Sequence, residues 1–146
     1  MTTLPMTEAV QRAVLAMPAA QAFQLRFLHV APADVALELP ITDTFCFRPG
    51  QLQAAAVFAA ADFAAVAAAG TLLEPGWVNA TIDASLKIVA PARGVRLIAR
   101  GRVIDAGRLL TVCAADVFAV DDQARETLCA TLLATARNVD ARRETP

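Results

Sequence analysis

The stretch AAAVFAAADFAAVAAAG, residues 54–70, constrains the fold more than any other part of the chain. Alanine is the best helix former, and a helix that is apolar on all sides is expected to be buried in protein. Pro49 and Gly50 break the structure before this run, and Gly70 stands where a glycine commonly ends a helix. We therefore predict a central core helix over 54–70 with Asp62 in its middle.

This run is also close to the length that spans a bilayer, about 20 residues. Its composition argues against a membrane helix, because alanine contributes little to insertion and a central aspartate costs about 2.5 to 3.5 kcal/mol. We expect no membrane interaction. Asp62 then belongs either to an exposed stripe of the helix or to a functional site, and both interpretations stay open at this point.

Downstream of the helix the hydrophobic pattern changes from helical to alternating. WVNATIDASLKIV, residues 77–89, alternates apolar with polar side chains and predicts a half-buried strand with a single apolar face. Three more apolar segments follow on short connections, over 95–105, 109–120 and 127–139. Four consecutive strands of this kind predict an antiparallel meander.

Two further strands are predicted upstream, over 23–30 and 34–42, and TEAVQRAVLAM is a short amphipathic helix with Thr7 as its candidate N-cap. The order is helix, two strands, long helix, four strands. It predicts one α+β domain over 1–146 with its core at about 23–139. A strongly curved antiparallel sheet wrapped round one buried helix satisfies this order.

Composition excludes several classes of function. The net charge of -1 over 146 residues and the lack of a basic stripe argue against a nucleic-acid partner. Cys46, Cys113 and Cys129 have no C-x-x-C spacing, so we expect buried free thiols in a reducing compartment. The N-terminus shows no secretory signal, which predicts a cytoplasmic protein. No spacing of ligand residues indicates a metal site.

Four motifs occur in order along the chain: FRPGQLQ before the long helix, AAAD within it, ATIDASLKIVAPARG after it, and IDAGRLLTVCAADVF beyond. Their order and spacing resemble the hotdog-fold acyl-CoA thioesterases of the phenylacetate-degradation type. That family carries an acidic residue in the helix, a Thr-apolar-Asp strand that closes in Pro-Ala and glycine, and a Gly-Arg hairpin. Over about 23–139 the resemblance implies the hotdog fold and hydrolysis of an acyl-CoA thioester.

The resemblance also implies where the chemistry lies. The family's helix typically opens with His-Gly-Gly or a similar small-residue turn, and this chain has Gln53, Ala54 and Ala55 at those positions. Thioester hydrolysis needs a water or carboxylate nucleophile and donors aimed at the oxygen that becomes negative. The backbone amide of Ala54 or Ala55, at the positive end of the helix dipole, supplies such a donor. Asp62 is the predicted general base or nucleophile.

Geometry separates these groups within one chain, because the eight residues from Ala54 to Asp62 correspond to about 12 Å of helix. The resemblance implies a homodimer in which Asp62 of one subunit faces the helix start of its neighbour. A dimer of dimers also fits. In such a site we expect the carboxylate to be partly desolvated and its proton affinity to be raised.

Further site residues follow from the resemblance, each with a plainer alternative. Thr81 matches a family Ser or Thr that hydrogen-bonds the attacking water or the carboxylate, although threonine is also a good strand former. Asn79 contacts the substrate, is solvated or lies in a subunit interface, and Gln53 either replaces the family's histidine as a donor to the substrate carbonyl or is solvated. Arg93 and Arg108 either bind the phosphates of coenzyme A or are solvated turn residues. Coenzyme A is then part of the substrate, no separate cofactor is expected, and the pocket accepts an apolar or aromatic acyl group.

Two other functions stay open. A hotdog hydratase or dehydratase normally needs a catalytic histidine, and His29, the only histidine, lies in an apolar strand far from the other candidates. A non-catalytic acyl-CoA binding module is favoured by the altered residues at the helix start. We expect an occluded helix start in a binding module, and an Asp62 that faces a neighbouring helix start in an enzyme.

Overall fold

The computed structural model describes residues 3–143; the first two and last three residues of the predicted domain lie outside the described residues. The helices are α1 (Met6–Leu15), α2 (Pro18–Ala22) and α3 (Ala54–Gly70). The strands are β1 (Arg26–Ala31), β2 (Asp34–Pro40), β3 (Cys46–Arg48), β4 (Gln51–Leu52), β5 (Trp77–Ile88), β6 (Arg96–Ala106), β7 (Leu110–Val120) and β8 (Glu126–Asp140). The predicted α+β class is confirmed, and the single domain over 1–146 stays a prediction.

Helix α3 has the bounds that its alanine run predicted. Ten of its residues are buried, and their small side chains let the helix approach the sheet closely. The approach is closest at Gly101 of β6, where an added Cβ would clash with the backbone carbonyl of Ala64. Alanine is therefore used here for its size as well as for its helix propensity.

Six strands form one antiparallel sheet in the order β1-β2-β6-β7-β8-β5. Helix α3 contacts β2 and β5, which lie four strand spacings apart, or about 19 Å. A helix is only about 10 to 12 Å across. The sheet must therefore curve around α3, as the order of elements predicted.

The predicted meander is wrong for its first strand, because β5 pairs with β8 and not with β6. The segment after β5 crosses the end of the sheet and does not turn back on itself. The Val89 N–H donates to the carbonyl of Cys129 at 2.9 Å, and the Val95 N–H donates to the carbonyl of Val120 at 2.8 Å. This crossing places β5 and β1 at the two edges of the sheet.

Several short elements differ from the sequence predictions. Helix α1 begins at Met6 after Pro5, so Thr7 is not its N-cap, and no side chain caps it. Gly70 is the last helical residue of α3 and has no left-handed conformation, so it is not the C-terminal glycine cap that we predicted. Helix α2 and the β3-β4 hairpin were not predicted, because two to five residues are too few to show a period.

The cysteines are free, and Cys113 and Cys129 are buried while Cys46 is half-buried.

Within 3–143 no helix is both long enough and apolar enough to cross a membrane.

Candidate active site

Strand β5 carries a β-bulge opposite α3. Its pairing with β8 shifts register between Thr81 and Asp83, so that Ile82 is the extra residue. Bulges re-aim the side chains that flank them. The side chains of Asn79 and Thr81, which precede the bulge, both contact α3.

The bulge makes the predicted single apolar face of this strand wrong. After the bulge, Ala84 and Leu86 pack against the core, as the alternation predicted. Val78 before the bulge and Ile82 at the bulge do not pack against the core, and they are 52% and 57% exposed. Polar side chains therefore reach the buried helix only in the first half of β5.

Asp62 and Thr81 form a hydrogen-bonded pair between α3 and β5. The Thr81 hydroxyl donates to Asp62 Oδ1 at 2.7 Å. Burial raises the pKa of the Asp62 carboxyl above its usual 3.8, and the Thr81 hydrogen bond lowers it by less. Among residues 3–143, no lysine, arginine or histidine forms an ion pair with this carboxylate.

The charge of the Asp62 carboxylate also affects the pKa of the Cys113 thiol. Burial and the charge of Asp62 together raise the pKa of Cys113 to about 11. A thiol with such a pKa is protonated at neutral pH and is a poor nucleophile. Cys113 therefore does not act as the nucleophile of this site.

Asp62 and Thr81 lie in the wall of a cavity of about 620 Å³ between α1, α3 and β5. Asn79 lies deeper in the same wall, one helical turn beyond Asp62, and its Nδ2 donates to the carbonyl of Val66 at 3.1 Å. The remaining lining is mainly apolar and includes Met6, Val10, Met17, Phe63, Leu73 and Trp77. A partly desolvated carboxylate at the side of an apolar cavity is typical of a catalytic base.

The start of α3 is exposed and only partly capped. Gln53 is the N-cap, and its Oε1 accepts a hydrogen bond from the Ala55 N–H at 2.6 Å. The Ala54 N–H has no acceptor among the residues that the structure describes. Of the two predicted amide donors, Ala54 is therefore available and Ala55 is occupied. None of these three residues lines the cavity beside Asp62.

Arg93 and Arg108 lie at opposite ends of β6, a strand of 11 residues or about 35 Å. Arg93 Nε donates to Gln51 Oε1 at 3.0 Å, and Arg48 donates to the same oxygen, close to the start of α3. The guanidinium of Arg108 lies 6.0 Å from the ring of Trp77. One chain therefore does not bring Arg93 and Arg108 to the same phosphate group.

His29 is far less suited to catalysis than Asp62. Its ring is exposed on β1 and contacts Asp34 at 3.1 Å, and it does not line the cavity. No cluster of His, Cys, Asp or Glu that could hold a metal ion occurs within 3–143.

Sequence reasoning missed the contribution of α1 to the site. Met6 and Val10 line the cavity and Val14 is buried at its edge, at the spacing i, i+4, i+8. This spacing is a helical apolar stripe that needs a partner surface. The stripe predicts that α1 packs on something, but it does not predict that the packing leaves a cavity.

No protein-family model and no curated protein matches the chain. Among solved structures, a thioesterase family protein from Silicibacter pomeroyi is 27% identical, with a TM-score of 0.89 over 92% of this chain and 98% of that one. A thioesterase from Haemophilus influenzae is 17% identical, with a TM-score of 0.81 over 100% of this chain and 97% of that one.

A phenylacetic acid degradation-related protein from Ralstonia eutropha is 23% identical, with a TM-score of 0.75 over 92% of this chain and 99% of that one. All three similarities extend over nearly the whole of both chains. The chain has the hotdog fold of the thioesterase superfamily, as the family resemblance of its sequence motifs implied.

Proposed function

We propose that the protein is an acyl-CoA thioesterase that uses Asp62 as its general base or nucleophile. One observation carries the proposal: a carboxylate with a raised pKa, oriented by Thr81, lies in the wall of an otherwise largely apolar cavity. The similarity to a thioesterase family protein from Silicibacter pomeroyi supports it.

In the proposed reaction, Asp62 accepts a proton from water as the water oxygen attacks the thioester carbonyl. The carbonyl oxygen becomes negative and accepts a hydrogen bond from the Ala54 amide. Collapse of the tetrahedral intermediate breaks the carbon–sulfur bond, releases the carboxylic acid, and returns the proton to the coenzyme A thiolate. If Asp62 attacks directly, water hydrolyses the resulting anhydride in a second step.

This reaction needs two chains, because Ala54 and Asp62 lie about 12 Å apart on one helix. We therefore propose a homodimer in which the Ala54 amide of one subunit and Asp62 of the other meet at one thioester. Arg93 lies beside the start of α3 and is proposed to bind a phosphate of coenzyme A there. Gln53, Asn79 and Arg108 stay proposed substrate contacts.

The two alternatives are less well supported. A hydratase would need His29, whose ring is exposed and paired with Asp34 outside the cavity. A binding module would have an occluded helix start, and Ala54 and Ala55 are exposed.

A hydrolysis screen across short, long and aromatic acyl-CoAs, with the free thiol detected as product, tests the activity directly. Asp62→Asn keeps the shape of the side chain and its acceptor for Thr81 while removing the base. We expect turnover to fall by about 10² to 10⁴ fold with a much smaller change in substrate binding. Thr81→Ala should lower turnover by about two- to tenfold, since it removes one hydrogen bond worth roughly 0.5 to 1.5 kcal/mol.

A folded Asp62→Asn variant that hydrolyses its best substrate at the wild-type rate would exclude this mechanism. If the wild-type protein binds acyl-CoA but hydrolyses none in the screen, the binding module is the correct function.

A further inference from the structure

The cavity beside Asp62 is elongated, and its length follows separately from the residues of α3 and from those of β5 that line it. On α3, Asp62 and Gly70 both line it and are eight residues apart, or about 12 Å. On β5, Thr81 and Trp77 both line it and are four residues apart, or about 13 Å. Strand β5 runs antiparallel to α3, so Thr81 lies beside Asp62 at one end of the cavity, and Trp77 lies with Gly70 at the other end. The two distances therefore describe the same length.

The far end of the cavity is closed by Leu73 and Trp77. Behind them lies a second cavity of about 460 Å³, whose lining includes the charged side chains of Arg108, Asp140 and Arg142. Leu73 and Trp77 line both cavities and so form the wall between them. An apolar chain that enters beside Asp62 is therefore expected to end at this wall, since the space beyond is polar.

Gly70 lets α1 approach α3 closely near this end. It is helical and has no left-handed backbone that would require glycine, which is otherwise a poor helix former. A Cβ at this position would lie 3.0 Å from Val10 Cγ2 on α1 and 3.7 Å from Asn79 Nδ2 on β5. A side chain here would thus press on Val10 and intrude between Val10 and Asn79, which both line the cavity.

Resting on the proposed thioesterase function, we propose that the substrate is a straight-chain acyl-CoA of about ten carbons. Its chain runs from Asp62 along α3, passes Gly70 and ends against Trp77. An extended chain advances roughly 1.2 Å per bond, so about ten bonds span 12 to 13 Å. Met6 and Met17 in the lining are flexible and adapt to a chain of varying conformation. A single aromatic ring would fill only the part next to Asp62.

The sequence supplies a reporter at the far end, because Trp77 is the only tryptophan and the chain has no tyrosine. We would titrate the Asp62→Asn protein, whose turnover should be about 10² to 10⁴ fold slower, with acyl-CoAs of 4 to 16 carbons that carry bromine on the last carbon. Bromine quenches tryptophan fluorescence on contact. We expect quenching, relative to the unbrominated acyl-CoA of equal length, to peak near ten carbons.

Gly70→Val in the same background should move the peak to chains about five carbons shorter, since its side chain obstructs roughly the last helical turn of the cavity, about 6 Å. Gly70→Ala adds a smaller side chain beside Val10, so it should produce a smaller shift of the peak in the same direction. Ala16→Val is the matched control, because Ala16 is exposed at the end of α1 and does not line the cavity. It should leave the peak unchanged.

Two results would overturn this inference even if hydrolysis is observed. One is quenching that is absent or independent of chain length. The other is a quenching peak that Gly70→Val and Gly70→Ala do not move. A length-dependent peak that Gly70→Val moves, in a wild-type protein that hydrolyses no acyl-CoA, would support the inference and refute the thioesterase proposal. The two failures are therefore distinguishable.

Discussion

Asp62 is a half-buried acid whose surroundings favour its neutral form. Desolvation raises its pKa, and the hydrogen bond from Thr81 offsets only part of that effect. A base with a raised pKa takes a proton from water more readily than an ordinary carboxylate does. Keeping such a group lowers stability, which is common where a residue is retained for function.

The raised pKa predicts a pH dependence of stability at this residue. Between the usual value of 3.8 and the higher folded value, the folded protein binds more protons at Asp62 than the unfolded chain does. The contribution of Asp62 to the free energy of unfolding therefore falls as pH rises through this window and is constant above it. The asparagine of Asp62→Asn does not titrate, so this decrease in the free energy of unfolding is absent in the variant.

Urea unfolding of both proteins at a series of pH values checks this prediction. The stability of Asp62→Asn relative to the wild type should increase as pH rises above 3.8 and then level off. Parallel stability curves, or a relative gain that appears only on acidification, would contradict the assigned pKa direction.

At the scale of the secondary-structure element, α3 carries both the proposed oxyanion donor, at its start, and the proposed base, in its middle. Gln53 caps the Ala55 amide and leaves the Ala54 amide to point outward. The helix dipole adds positive potential at this end. The start of α3 therefore keeps an anion-binding character without the glycines that the family typically has there.

Gln53→Glu tests this role of the helix start. The carboxylate can still cap Ala55, and a negative charge at a helix start stabilises by about 0.3 to 1 kcal/mol, so folding should not suffer. The same charge repels an oxyanion held by Ala54, by roughly 1 to 4 kcal/mol at 4 Å, so turnover should fall about fivefold or more.

Thermal unfolding and steady-state kinetics measure the two effects of this change. Gln123→Glu, in the exposed turn between β7 and β8, introduces the same charge elsewhere and serves as control. Unchanged turnover in Gln53→Glu, or an equal loss in the control, would argue against an oxyanion at the helix start.

At the scale of the whole molecule, the sheet leaves β5 as its longer open edge, with 12 residues against 6 in β1. Open edges tend to pair with another chain unless they are protected. The outward apolar side chains Val78 and Ile82 lie on this edge strand. The proposed dimer therefore joins two sheets through β5, and it brings the Ala54 amide of one chain to Asp62 of the other.

Ile82→Lys should weaken this dimer by placing a charge on each side of the interface, and activity should fall with it because the proposed site is shared. Sedimentation at micromolar concentration, together with hydrolysis rates over a range of protein concentrations, measures both effects. Leu28→Lys, on the opposite edge strand β1, is the control and should leave the dimer intact. A wild-type protein that sediments as a stable monomer would refute the assembly and the shared site together.

The fold and the site were predictable to different degrees. Helix α3 was predicted to its ends, because an unbroken alanine run has one strongly preferred local structure. The strand segments were recognisable from their period. The pairing of Asp62 with Thr81 followed from the family resemblance, and composition or spacing does not show it.

Sequence alone was sufficient for helix α3, for most of the strand segments and for the α+β class, because these depend on propensity and on short-range patterns. Tertiary structure decided the rest: the neighbour of β5, the bulge at Ile82, and the cavity that α1, α3 and β5 leave between them beside Asp62. Each of these depends on contacts between segments far apart in the chain. No local pattern carries that information, since the same alternation of side chains is compatible with either register and with either neighbour.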